Sequence, residues 1–187
     1  MNKIIEPEVN VEIESGKLTG RKVITISKKL SDLADIFRNE DARREMDQDQ
    51  VLYKVQAYLP VDEETEAGLF FGTTIIYPGK VGDEYFMTKG HFHAQSDKAE
   101  YYWGIEGEGM LVLMDRKRKT WAEKMYKGSL HYIPADVAHR TVNIGEEKLI
   151  FGACWPSDAG HNYDEIIKYG FSARLVELND EPTLVSE

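Results

Sequence analysis

Two short blocks of punctuated residues constrain this chain more than any apolar run. The first is Gly90-His91-Phe92-His93, followed by six residues to Glu100 and six more to Gly107. The second is Gly128-x5-Pro134-x4-His139-x3-Asn143. Residues two apart on a strand share a face, so His91 and His93 can reach one ion. Glu100 and His139 must then arrive from other strands that face the same interior. Three imidazoles and one carboxylate suit a divalent first-row metal. The set leaves coordination positions open for water or substrate, as catalytic sites do. A lone strand histidine is ordinarily a half-buried polar residue. Four ligand types at fixed offsets from glycine and proline are a different matter.

The rest of the chain is punctuated in the same way. Val9–Glu14 and Lys17–Ile24 flank Ser15-Gly16, a hairpin signal. β-rich runs follow at 51–59 and 69–77, with an acidic turn near Asp62 between them and Pro78-Gly79 after the second. Further runs are expected at 84–88, 99–105, 110–115, 120–126, 130–133, 140–144, 149–155 and 171–178. Ser31, Asp32, Leu33, Ile36 and Phe37 predict a helix capped by Ser31 and continuing, broken or not, toward Met46. A second short helix is expected over 163–169, stopped by Gly170. So many antiparallel strands call for a closed or double-sheet architecture, with inward ligands in its interior.

At 187 residues, one domain spanning 1–187 is expected, large enough for a sizeable core. With 33 acids against 23 bases the net charge is -10, which argues against general nucleic-acid or anionic-membrane binding. An anionic small substrate stays open, since a bound metal supplies local positive charge. The single cysteine, Cys154, rules out an internal disulfide, suits a reducing cytosol and reads as a buried structural thiol. No run approaches membrane-spanning length and no signal pattern opens the chain. A cytoplasmic location is expected.

The two blocks resemble the two motifs of the cupin superfamily. The resemblance implies a mostly β fold, a double-stranded β-helix or jelly-roll barrel with one or two short peripheral helices. The six-residue gap from His93 to Glu100 is longer than is common among cupins, and Asp136 replaces a usual glycine. A narrower resemblance rests on Thr73-Thr74-Ile75-Ile76-Tyr77-Pro78-Gly79-Lys80-Val81-Gly82, Thr88-Lys89-Gly90-His91-Phe92-His93, His139-Arg140-Thr141-Val142-Asn143-Ile144-Gly145 and Pro156-Ser157-Asp158-Ala159-Gly160-His161-Asn162-Tyr163. Together these look like the cupin-type phosphoglucose isomerases of archaea, from about residue 51 to 171.

That resemblance implies interconversion of glucose 6-phosphate and fructose 6-phosphate by a cytosolic homodimer. It implies one divalent metal per subunit, Fe2+ or Mn2+ before Zn2+, Ni2+ or Co2+. It places the metal on His91, His93, Glu100 and His139, the phosphate on Thr74, Thr88 and Gly90, and the sugar against Tyr102, His161 and Tyr163. Trp155 departs from a tyrosine near the phosphate. Tryptophan donates a hydrogen bond but accepts none. Glu100 is the candidate catalytic base, with a direct hydrogen shift between carbons left open. Because Glu100 faces the metal, Tyr102 shares its face and Tyr101 does not. Lys89 is expected to point away from the site, and His131 to be structural. Competing readings are mannose 6-phosphate isomerase activity, a metal-dependent dioxygenase, and a sugar-binding cupin without catalysis.

Overall fold

The structure is a computed structural model and describes residues 2–187. In chain order the strands begin with β1 (Val9–Val11), β2 (Leu18–Gly20) and β3 (Val23–Lys29). A 3-10 turn at Leu30–Leu33 and helix α1 (Glu40–Glu45) lead to β4 (Val51–Tyr58) and β5 (Leu69–Ile76). Then come β6 (Lys80–Val81), β7 (Glu84–Tyr85), β8 (Glu100–Glu106), β9 (Glu108–Met114), β10 (Thr120–Tyr126), β11 (Leu130–Ile133), β12 (Ala138–Asn143) and β13 (Leu149–Pro156). Helix α2 (Asp164–Tyr169), β14 (Ala173–Leu178) and β15 (Glu181–Ser186) close the chain.

A six-stranded sheet runs β11-β8-β13-β5-β4-β3, a three-stranded sheet β10-β9-β12, and a four-stranded sheet β15-β14-β7-β6. Every paired strand is antiparallel. The first two sheets meet in one core. Leu52, Ile76, Leu149 and Ile133 from the six-stranded sheet pack with Leu111, Leu113, Met125 and Val142 from the three-stranded sheet. Each such side chain contributes about 1.5–3 kcal/mol by leaving water. The fold is mostly β and antiparallel with two short helices, as the motifs imply.

The expected helix from Ser31 toward Met46 is broken, and its first part is corrected to a 3-10 turn. Leu30 and Leu33 are buried by the 3-10 turn, and Ile36 and Phe37 by the loop after it. Asn39 then starts a separate helix, its side-chain oxygen accepting from the Ala42 N–H at 3.0 Å. Ser31 lies inside the turn, with Lys29 in the capping position. The expected strand 17–24 is two strands, divided where Gly20 (φ 139°) and Lys22 (φ 59°) turn the backbone. A terminal hairpin went unexpected. Asn179 and Asp180 both adopt positive φ, 53° and 63°, between β14 and β15. That is the two-residue turn that matches strand twist, and asparagine and aspartate tolerate it best.

Candidate metal centre

The two histidine blocks meet because the chain pairs them. His91 and His139 form an antiparallel bridge: the His91 N–H donates to the His139 carbonyl at 3.2 Å and the reverse bond is 3.0 Å. Such a pair sets its side chains alongside one another, and the ring centroids lie 4.4 Å apart. His93 is two residues along, its ring 5.6 Å from His91 and 5.3 Å from His139. Glu100, the first residue of β8, comes from the opposing sheet. One ligand atom from each of His91, His93, Glu100 and His139 falls within 4.8 Å of the others.

The donor set fits a cation. The Nδ1 of His93 lies 3.0 Å from the Lys98 carbonyl, and that of His139 lies 3.2 Å from the Val137 carbonyl. Donating Nδ1–H to a carbonyl leaves each Nε2 lone pair facing inward, as metal-binding histidines are arranged. The buried Nε2 of His139 has no aligned hydrogen-bond partner, although Glu100 Oε1 stands 2.6 Å away. Glu100 Oε1 is also 3.1 Å from His93 Nε2. Two imidazole nitrogens crowd one carboxylate oxygen and only His93 bonds it with aligned geometry, a crowding that a bound ion relieves.

The electrostatics agree. Burial, aided by the neighbouring histidines, pushes His91 well below its ordinary value and keeps it neutral. Burial opposes ionisation of Glu100, but His139 and His93 outweigh it and hold the carboxyl at about 2. The Glu100 carboxylate and the neutral His91 are ligand forms a metal needs, while His93, whose bond to Glu100 raises its pKa against burial, gives up a proton when a metal binds.

The centre opens into a cavity of about 260 Å³. Five strands contribute to its wall, each through alternate residues: Ile24, Ile26 and Lys28; Tyr53, Val55 and Ala57; Phe70, Gly72 and Thr74; Glu100 and Tyr102; Phe151, Ala153 and Trp155. Thr88, Lys89, Gly90, His161 and Tyr163 also line it, so every expected substrate residue faces this cavity. Tyr102 shares the wall with Glu100 while Tyr101 is exposed, as alternation requires. His161 sits exposed at the rim, stacked parallel to Tyr163 with centroids 5.7 Å apart. Burial of its inner edge lowers its pKa. The Thr88 hydroxyl accepts from the Thr141 N–H at 3.0 Å, which leaves its own O–H free to donate. Gly90 has φ 77°.

Several readings change. Lys89 does not point away: it lines the cavity, its ammonium 4.9 Å from the Tyr163 ring centroid. Cys154 is half-buried rather than buried. Glu63, from the acidic turn between β4 and β5, reaches the cavity wall. Tyr53 was missed. It is buried, and burial raises its pKa. Its only sequence signal is period-two alternation with Val55 and Ala57, which names no face by itself. Trp155 takes the place of the expected tyrosine in the wall, seated over Gly72, where an added Cβ would lie 3.0 Å from the indole ring. Two motif residues prove to be scaffold. Asp136 supplies positive φ at 60°. Asn143 is fully buried, donating to the Ile76 and Glu147 carbonyls and accepting from the Gly145 N–H. His131 is structural as expected, bridging Ser129 and Glu123 beneath the surface.

Comparison with known proteins agrees with this geometry. The glucose-6-phosphate isomerase (GPI) family matches residues 27–184. A glucose-6-phosphate isomerase of Thermococcus kodakarensis is 43% identical over 178 residues, covering 95% of this chain and 92% of that one. One of Pyrococcus furiosus is 43% identical over 179 residues, covering 95% and 93%. One of Sinorhizobium medicae is 38% identical over 182 residues, covering 95% and 84%. Among solved structures, oxalate oxidase in complex with glycolate overlaps loosely, with a TM-score of 0.46, 10% identity, and 79% and 58% of the two chains covered. On the match across most of its length and on these relatives, the chain belongs to the glucose-6-phosphate isomerase family.

Proposed function

We propose that this protein interconverts glucose 6-phosphate and fructose 6-phosphate at a divalent metal held by His91, His93, Glu100 and His139. The observation that carries the reading is the convergence of those four residues at the base of a cavity whose wall holds Thr74, Thr88 and Gly90. A bound ion supplies Lewis-acid polarisation of the sugar's O1 and O2. Tyr102 and Tyr163 border the opened sugar, and His161 closes the rim. Thr88 donates its free O–H to the phosphate, with Thr74 and the Gly90 backbone beside it. Lys89, the one lysine over Tyr163, adds charge there. Iron or manganese is the favoured metal, since mixed histidine and carboxylate ligation with open positions suits either. A homodimer working in the cytoplasm completes the proposal. No helix among the described residues is long and apolar enough to cross a membrane.

Glu100 is the proposed base: its carboxylate takes the C2 proton and returns it at C1. A direct shift of hydrogen from C2 to C1 is the second reading. The observation favouring it is that Glu100 Oε1 is already engaged, 2.6 Å from His139 Nε2 and 3.1 Å from His93 Nε2, and an engaged carboxylate oxygen accepts a carbon-bound proton poorly.

A coupled assay offering both hexose 6-phosphates, with and without oxygen, tests the function. Isomerisation of glucose 6-phosphate that needs metal and ignores oxygen is expected. Oxygen consumption favours a dioxygenase, turnover confined to mannose 6-phosphate favours the other isomerase, and no turnover by metal-loaded protein overturns the isomerase reading. In the same assay Glu100→Gln separates the two proton routes. Activity per bound metal should fall by roughly 10²–10⁴ if Glu100 is the base, with solvent exchange at C2 abolished. Full activity per bound metal leaves the direct shift as the route.

A further inference from the structure

We propose that Arg140 is a positioning residue for the substrate phosphate, holding the Thr88–Gly90 segment from behind and supplying positive charge that the phosphate balances. This rests on the reading that the phosphate lies at Thr88 and Gly90. Arg140 follows His139 on β12, so its side chain leaves the opposite face of the strand. Its guanidinium is buried, stacked 4.4 Å from the Phe171 ring centroid, with Nη1 3.1 Å from the Met87 sulfur. Nη2 donates to the Lys89 carbonyl at 2.8 Å. The buried Nε has no partner.

No carboxylate lies within 4.0 Å of this guanidinium among the described residues; Glu84, which faces the region, is engaged by Arg174 at 2.6 Å. A buried cation without a counter-ion is costly unless something else offsets it. What faces it across one layer of backbone is the cavity wall. Thr88, Lys89 and Gly90 line the cavity, and Arg140 stands behind them. The missing side chain of Gly90 permits this approach, because a Cβ there would lie 3.0 Å from Arg140 Nε and from its Cβ. A glycine with positive φ therefore does two things: it shapes the segment and lets the charge come close. Through so little low-dielectric material the field of the guanidinium reaches the cavity poorly screened. Glu84 and Glu187 act on it only from a distance and both are paired with Arg174, so a phosphate dianion on the other side adds the balancing charge that no direct ion pair supplies.

The test uses metal-loaded holoenzyme and three probes: fructose 6-phosphate, inorganic phosphate, and a phosphate-free five-carbon sugar hydroxamate that engages only the metal end. Arg140→Met keeps apolar packing and removes the charge. It is expected to raise KM for fructose 6-phosphate and Ki for inorganic phosphate by about tenfold or more, with KM rising more than kcat falls. Ki for the hydroxamate should stay within about twofold of wild type. Arg140→Lys restores the charge and should recover most of the phosphate affinity. If the methionine variant does not fold, Arg140→Gln, whose amide can still donate to the Lys89 carbonyl, is measured the same way. Equal shifts for phosphate and hydroxamate, or no shift for either, overturn the proposal and leave Arg140 a core residue. A lysine variant as weak as the neutral one overturns the charge assignment. A wild-type protein that neither isomerises the sugar phosphates nor is inhibited by phosphate defeats the isomerase reading itself, a result distinct from equal shifts in a working isomerase.

Discussion

Thr88 shows how one hydroxyl acquires a direction. Its oxygen is occupied by the Thr141 N–H, so the remaining proton points its hydrogen-bonding capacity at the cavity. Thr73 shows the reverse: its hydroxyl donates to the Gly16 carbonyl at 2.6 Å and ties the amino-terminal loop to β5. Thr74, the next residue on β5, alternates to the other face and lines the cavity. Thr88→Val keeps the shape and removes the donor. Losing a hydrogen bond to a charged group should cost about 1.5–3 kcal/mol in kcat/KM for sugar phosphates. Inhibition by a neutral sugar analogue should barely change. An equal loss for both, measured by steady-state kinetics, would remove Thr88 from phosphate recognition.

At the scale of elements, the bridge between the His91 segment and β12 decides whether a centre exists. A slip of one residue would turn His139 out and Arg140 in. Asn143 pins that register, binding the end of β12 to β5 and to the following turn. The closing hairpin depends on its turn. Its turn residues Asn179 and Asp180 carry positive φ without being glycine. The preferred pair for this turn is asparagine followed by glycine. Asp180→Gly should therefore raise stability by a few tenths to about 1 kcal/mol. Chemical denaturation checks this, and a lower midpoint at unchanged slope would show that aspartate contributes something beyond its backbone.

For the molecule as a whole, the centre links stability to pH. An unfolded His91 binds its proton near 6.5, whereas the folded one resists it, so stability drops as pH falls through that value. Glu100 works in the same sense. Its carboxyl titrates near 4.5 unfolded and at about 2 folded, so its contribution is present above 4.5 and is lost as pH falls toward 2. His93 has the opposite sign: its bond to Glu100 prevails over burial and raises its pKa, giving stability present below 6.5 and lost as pH rises through the folded value. It offsets part of the His91 effect near neutrality and none of the Glu100 effect. The metal-free protein should therefore lose thermal stability on acidification below about pH 6.5, most steeply below about 4.5. Calorimetry of chelator-treated protein between about pH 7 and 3 checks it, and a flat Tm across that range would overturn the assignment of charge states.

The sequence by itself determined the candidate ligand set and the rhythm of the strands. Imidazoles two apart, a carboxylate, and glycines at fixed offsets are local facts, and period-two alternation placed Tyr102 rather than Tyr101 beside Glu100. Local chemistry also marked the Asp136 turn. What only the tertiary structure decided was which face each strand turns inward and what covers the far side of each wall. Tyr53 and Lys28 belong to the cavity because their strands pair in one register and not the next. Lys89 turns to Tyr163, a residue 74 positions away by number, and not outward. The apolar spacing of residues 33–37 fitted a helix, yet burying those side chains needed only a single tight turn and a loop. Arg140 looked like any strand arginine until Gly90, Phe171 and the Lys89 carbonyl closed around it. Periodicity fixes alternation along a strand, but the choice of face is set by nonlocal packing, and nonlocal packing is written in no short stretch of chain.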